Sequence, residues 1–215
     1  MRQIGKERVH YEAPAAERLR DEMRKFLEWF EKDSSTDLVL KAGIAHLWFV
    51  TTHPFDDGNG RIARAIMDML LARSERSPQR FYSMSAQIHQ ERKTYYEILE
   101  ATQKSDLDIT RWLEWFLDCL GRAFERAETI LAVVLGKARF WERFAATEFN
   151  GRQRDIVNRL LNIFEGKLTS SKWANLAKCS HDTALRDIED LIRKKVLVKD
   201  AAGGRSTSYL LARIK

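Results

Sequence analysis

The chain has 215 residues, of which 44% are hydrophobic and 32% charged, with six Trp, eleven Phe, ten Gly and three Pro. That composition excludes collagen-like, low-complexity and disordered chains and allows one large domain or a medium domain with a small one. The net charge of +6 is uneven: residues 1–150 hold 23 Lys+Arg and 24 Asp+Glu (−1), and residues 151–215 hold 14 and 7 (+7).

Residues 1–13 read as extended, with a turn near Gly5 and a strand-like piece ended by Pro14. Ala15–Lys32 reads as a helix with Leu19, Met23, Phe26, Leu27 and Phe30 on one face. A second helix, capped by Ser35 or Thr36, runs to about Thr52 with Leu40, Ile44, Leu47 and Trp48 inward. A loop rich in turn residues follows. The next helix has an expected stripe of Ile62, Ile66, Met69 and Leu70. Helical patterns resume over about 88–103, 108–135 and 136–148. Asn150-Gly151, a turn dipeptide at the charge shift, marks the expected domain boundary. Beyond it, helices over 152–164, 172–178 and 181–195 precede a strand, a Gly-Gly turn and a strand. Three helices and a hairpin form the pattern of a winged helix-turn-helix.

Apolar runs are short: Ala45–Val50 and Ile130–Leu135 have six residues each, against about 18 for a membrane span. The N-terminus lacks the apolar stretch of a secretory signal. Cys119 and Cys179, far apart and without metal-like spacing, indicate a reducing compartment. These features point to a cytoplasmic protein without a membrane partner.

The chemistry concentrates in His53-Pro54-Phe55-Asp56-Asp57-Gly58-Asn59-Gly60-Arg61-Ile62-Ala63-Arg64. Gly58 and Gly60 permit backbone geometries that a Cβ blocks, and they stand where a helix begins. Uncapped N–H groups and the positive dipole end make such a start an anion site. Arg61 and Arg64, three apart, share a face above it. Asp57 is a carboxylate beside the phosphate cradle, the setting in which Mg²⁺ takes one carboxylate plus phosphate oxygens. His53, at the end of the preceding helix, offers an imidazole to an incoming hydroxyl. Alone, it would read as a helix C-terminal cap. Phe55 is expected to plug into the core and fix the loop. His46 is expected to be packed or hydrogen-bonded, and Trp112, Trp115 and Phe116 to be core.

This stretch resembles the Fic family signature H-x-F-x-(D/E)-G-N-G-R-x-x-R, matched at every fixed position. The resemblance covers roughly residues 1–135. It implies an all-α Fic helical domain with a small β-hairpin flap, over 1–150, followed by the small α+β winged helix-turn-helix domain over 151–215. It also implies a protein adenylyltransferase moving AMP from ATP to a Ser, Thr or Tyr hydroxyl of a target protein. His53 would be the base and Asp57 the Mg²⁺ ligand. Gly58, Asn59 and Gly60 would form the anion hole, with the Asn59 side chain on the α-phosphate. Arg61 and Arg64 would hold the outer phosphates. Tyr95 and Tyr96 are the candidates beside the adenine. The target would dock along flap residues 4–12 by strand addition, with self-modification and a homodimer as further partner readings.

Family members often carry an inhibitory (S/T)-x-x-x-E-(G/N) helix. Glu165-Gly166 has the ending, but Leu161 stands where Ser or Thr is required. The chain is therefore expected to be an N-terminally shortened form without that helix, active with ATP. Two rival readings are a DNA-binding regulator with a nucleotide-sensing Fic domain, and a Doc-like kinase. The helix over 181–195 carries four acidic against four basic residues, which favours a protein contact over DNA.

Overall fold

The computed structural model describes residues 14–77, 80–162, 164–200 and 207–212. The expected flap, and the tip of the expected C-terminal hairpin, lie outside the described residues. Two compact units divide the chain, Met1–Ala127 and Glu128–Lys215.

In the first unit, α1 (Ala16–Lys32), α2 (Leu38–Thr52), α3 (Asn59–Glu75), α4 (Met84–Gln90) and α5 (Arg92–Gln103) lead into α6 (Thr110–Arg143). The N-cap of α2 is Asp37, whose carboxylate accepts from the N–H groups of Val39 and Leu40, rather than Ser35 or Thr36. A carboxylate also complements the helix dipole there.

Helix α2 is the core of this unit. Ala42, Gly43, Ala45, His46, Leu47, Phe49 and Val50 are all buried, so it is enclosed on most sides. That corrects the one-sided face expected for it: Leu40, Ile44 and Trp48 are only half-buried. Gly43 is needed because Phe116 lies so close that a Cβ would stand 2.9 Å from its ring. The Trp112 indole N–H donates to the Gly43 carbonyl at 2.9 Å. Trp112, Trp115 and Phe116 are buried, as read from the sequence. Lys41 is buried as well. Its ammonium lies 5.1 Å from the Trp29 ring and donates to the Asp33 carbonyl, so the charge is not stranded.

Helix α3 packs on α2 through Ala63, Met67, Leu70 and Leu71. The buried stripe is thus rotated from the expected one, and Ile62 and Met69 are exposed. Ala63, with no exposed surface, is the small residue that lets the two helices approach. Leu27 on α1 is likewise exposed, and Phe26 alone of that helix is fully buried.

The two units meet within α6, between Ala127 and Glu128. Asn150-Gly151 instead lies inside the second unit, opening α7, because Phe140 and Phe144 already belong to the second core. Gly136 does not break α6. The second unit continues with α7 (Gly151–Leu160), α8 (Ser170–Ala177) and α9 (His181–Arg193), then β1 (Leu197–Lys199) and β2 (Tyr209–Leu211). The strands pair antiparallel with Leu197 opposite Leu211, and Leu168 bridges to Tyr209. Asn150 and Gln153 form a reciprocal cap for α7. Buried Asp187 on α9 accepts from Arg152 at 2.8 Å and from Asn150 at 2.8 Å, which ties the start of α7 to α9. Its core is Ile156, Trp173, Ile188, Leu191 and Leu197 with the two α6 phenylalanines.

Candidate active site

His53 closes α2. Its backbone is left-handed, with φ 49° and ψ 55°, and its N–H donates to the Phe49 carbonyl. This conformation suits Gly and costs an L residue about 1–2 kcal/mol. Arg76 and Lys178 end their helices in the same way, and the His53 side chain is exposed.

The loop that follows is clasped by Asn59. Its Oδ1 accepts from the Phe55 N–H at 3.0 Å and its Nδ2 donates to the Phe55 carbonyl. Asn59 is 3% exposed. Its amide therefore clasps the loop on which the phosphate cradle stands. Phe55 departs from the expected core plug. Its side chain is 51% exposed and meets only the rim of the core at Phe49, with ring centroids 6.4 Å apart. The loop is held by the asparagine, not by a phenylalanine plug.

Gly58 has φ 89° and precedes α3. No side chain caps this helix, and the first intrahelical bond runs from the Ile62 N–H to the Gly58 carbonyl. The N–H groups of Asn59, Gly60 and Arg61 thus belong to the unpaired first turn. Both arginines fold back over that turn. A Cβ on Gly58 would stand 3.4 Å from Arg61 Nη2, and one on Gly60 would stand 3.4 Å from Arg64 Nη1. Asp57 Oδ1 accepts from the Gly58 N–H at 2.6 Å and Oδ2 accepts from Arg61 at 2.9 Å. Two guanidiniums and three open N–H groups therefore converge on one small volume, with one carboxylate at its edge. A helix start of this kind, with two guanidiniums beside it, has the donors to bind an anion.

Beneath it lies a group whose connection the sequence reading missed. His46, fully buried on α2, contacts the Tyr95 hydroxyl through Nε2 at 3.1 Å and stacks on Trp112. Burial and then the Arg64 charge push its pKa down to about 3, against the pull of the Ala63 carbonyl. Burial likewise pushes Tyr95 up to about 12, with Arg64 opposing. The shared influence of Arg64 places both groups near the second motif arginine. Tyr95 is only 4% exposed. Tyr96 is exposed, stands 5.1 Å from Tyr95 ring to ring, and has the Arg92 guanidinium over it at 5.6 Å.

Residues 1–71 match the Fic/DOC family. The chain carries a Fic/DOC-family domain. Proteins named protein adenylyltransferase Fic from Drosophila willistoni, Drosophila grimshawi and Drosophila melanogaster are each 31% identical to it over 105 residues. The alignment covers 48% of this chain and 20% of theirs, so the chain spans about a fifth of the length of these relatives. A Fic family protein from Desulfovibrio desulfuricans G20 aligns over 93% of this chain and 56% of its own, at 21% identity and a TM-score of 0.49. In the Fic domain the glycine loop, His53 and both arginines lie within the matched residues. No described helix is long and apolar enough to cross a membrane.

Proposed function

We propose that the chain is a protein adenylyltransferase that moves AMP from ATP to a Ser, Thr or Tyr hydroxyl of a target protein. The observation that carries this reading is the convergence at the start of α3. Arg61 and Arg64 are folded over the uncapped turn at Gly58–Gly60, and His53 is held in a strained conformation one short loop away.

In this reading the target hydroxyl oxygen attacks the α-phosphorus of ATP. His53 takes the hydroxyl proton, the bond from phosphorus to the bridging oxygen breaks, and diphosphate leaves with that electron pair. The N–H groups of Asn59, Gly60 and Arg61 stabilise charge on the α-phosphate oxygens. Arg61 and Arg64 stabilise charge on the departing phosphates. Asn59 acts by keeping the loop in shape. The buried His46 and Tyr95 support the base of Arg64, and Tyr96 offers its open face to the adenine.

Asp57 is the residue that would hold Mg²⁺. Its side chain is 91% exposed, and among the described residues no group of three His, Cys, Asp or Glu encloses a metal. A single open carboxylate fits an ion that completes its shell with phosphate oxygens and water. Bound there, the ion would neutralise phosphate charge.

The target would lie along residues 4–12, and self-modification is a second outcome at the same hydroxyl chemistry. Removal of AMP is not part of the proposal. Glu165, the one glutamate with the inhibitory ending, stands in the loop after α7, where its carbonyl accepts from Lys172. For the second unit we propose a winged helix-turn-helix serving protein contacts. The face of α9 offers Asp182 and Glu189 beside Arg186 and Arg193, with no basic excess to meet a nucleic acid backbone.

Label transfer tests the proposal. With Mg²⁺ and ATP labelled at the α-phosphate, wild-type chain should label protein, and His53→Ala should not. Label from the γ-phosphate alone would make the site a kinase. No label from either position would refute group transfer from ATP.

A further inference from the structure

Helix α2 ends in His53, and α5 carries Tyr96. If one nucleotide is to meet both, α5 must keep a fixed place against α2. At its start α5 is held by α6. Its N-cap Glu91 accepts from Arg122 Nε at 2.7 Å and from Nη2 at 2.6 Å. Two hydrogen bonds then tie it to α2. The Gln103 amide donates to the Thr51 hydroxyl at 3.1 Å. The Tyr95 hydroxyl meets His46 Nε2 at 3.1 Å inside the core.

The second tie lies next to Tyr96. The other rings around Tyr95 are Trp112 and Trp115, at 6.2 and 5.6 Å between centroids. Apolar packing lets a ring slide, whereas a hydrogen bond fixes distance and angle. Tyr96 meets the Tyr95 ring at 5.1 Å, tilted by 63°, with the Arg92 guanidinium over its own ring. Of these two neighbours only Tyr95 is buried. Burial and the Arg64 charge keep His46 uncharged, and burial keeps the proton on Tyr95. The bond therefore joins two neutral groups and persists around neutral pH.

We propose, resting on the ATP reading above, that the buried His46–Tyr95 hydrogen bond positions Tyr96, and through it sets how strongly the site prefers ATP over a triphosphate without a base. Tyr95→Phe deletes the bond and keeps the ring. The turn of α5 that carries Tyr96 then loses its directional anchor. The start of α3 and its two arginines keep theirs, with the Tyr95 ring and the whole of His46 still in place. Affinity for the base should fall, and affinity for the phosphates should not.

The test is calorimetric titration of the full chain, in Mg²⁺, with ATP and with tripolyphosphate. Wild type should bind ATP more tightly. Tyr95→Phe should weaken ATP about fivefold, the worth of one neutral hydrogen bond, and leave tripolyphosphate unchanged. His46→Leu, which removes the bond from the α2 side, should match it. Tyr96→Ala should show the same ATP-selective loss. Tyr95→Phe added to Tyr96→Ala should change nothing further, because a residue that acts through another is silent once the other is gone. ATP affinity unchanged in Tyr95→Phe overturns the proposal. So do equal losses for both ligands, which would be general loosening. A further loss in the Tyr96→Ala background overturns it as well, since Tyr95 would then touch the nucleotide itself. Wild type binding ATP no better than tripolyphosphate also overturns it. The expected binding pattern without label transfer from ATP supports the positioning role and refutes the adenylyltransferase reading alone. Binding of neither ligand overturns both.

Discussion

Asn59→Ala separates a loop clasp from a phosphate ligand. The wild-type amide makes two hydrogen bonds to the Phe55 backbone from a residue that is 3% exposed. A neutral hydrogen bond is worth about 1 kcal/mol net, and a stranded buried partner costs more. Phe55 is half exposed, so water recovers part of the lost bonding and the cost stays near about 2 kcal/mol. At about 2–4 °C per kcal/mol for a chain of this length, the apo Tm should fall by about 4–8 °C. Thermal and urea unfolding without nucleotide are the assays. Asn59→Asp keeps the acceptor but turns a carboxylate oxygen toward the Phe55 carbonyl, and should be worse. An apo Tm within a degree of wild type, together with weakened ATP binding, would refute the clasp and return the side chain to the ligand.

Three other outcomes follow from the same loop and the group beneath it. His53→Gly should relieve left-handed strain, raising stability by about 1 kcal/mol in urea unfolding while abolishing label transfer. Gly60→Ala should leave the Tm unchanged or slightly higher, since Ala favours a helix by roughly 0.5–1 kcal/mol. Its methyl would stand 3.4 Å from Arg64 Nη1, an ordinary contact, so label transfer should stay near the wild-type rate. For His46 the folded pKa of about 3 lies below the ordinary histidine value of 6.5, so the unfolded chain binds the extra proton between those values. Stability is then full above about pH 6.5 and falls as pH drops, by about 2–3 kcal/mol at pH 4.5. Urea midpoints from pH 7 to 4.5 should show the slope, and His46→Gln should flatten it.

The motif was legible because its residues are neighbours in the chain. The turn glycines, the helix start and the two arginines three apart are local geometry, so twelve residues of sequence suffice to place a phosphate cradle. Helix positions were legible for the same reason, and α1, α2 and α9 begin and end within a few residues of the periodicity reading. What the sequence could not decide was which face of each helix turns inward. Ile62 and Met69 look like core but are exposed, while Ala63, His46 and Lys41 are buried, because α2 is enclosed on most sides and close packing favours small residues. The roles of Asn59, Phe55 and Tyr95 also required the tertiary structure. An asparagine beside a phosphate loop is equally suited to a ligand or to a backbone, and only the 3.0 Å contact with the Phe55 N–H settles how its amide is spent. Tyr95 reaches His46 from 49 residues away in sequence, and no local pattern carries a contact of that range. Composition, motif and element order are properties of the chain itself. Burial, partner choice and the domain boundary inside α6 are properties of how distant segments meet.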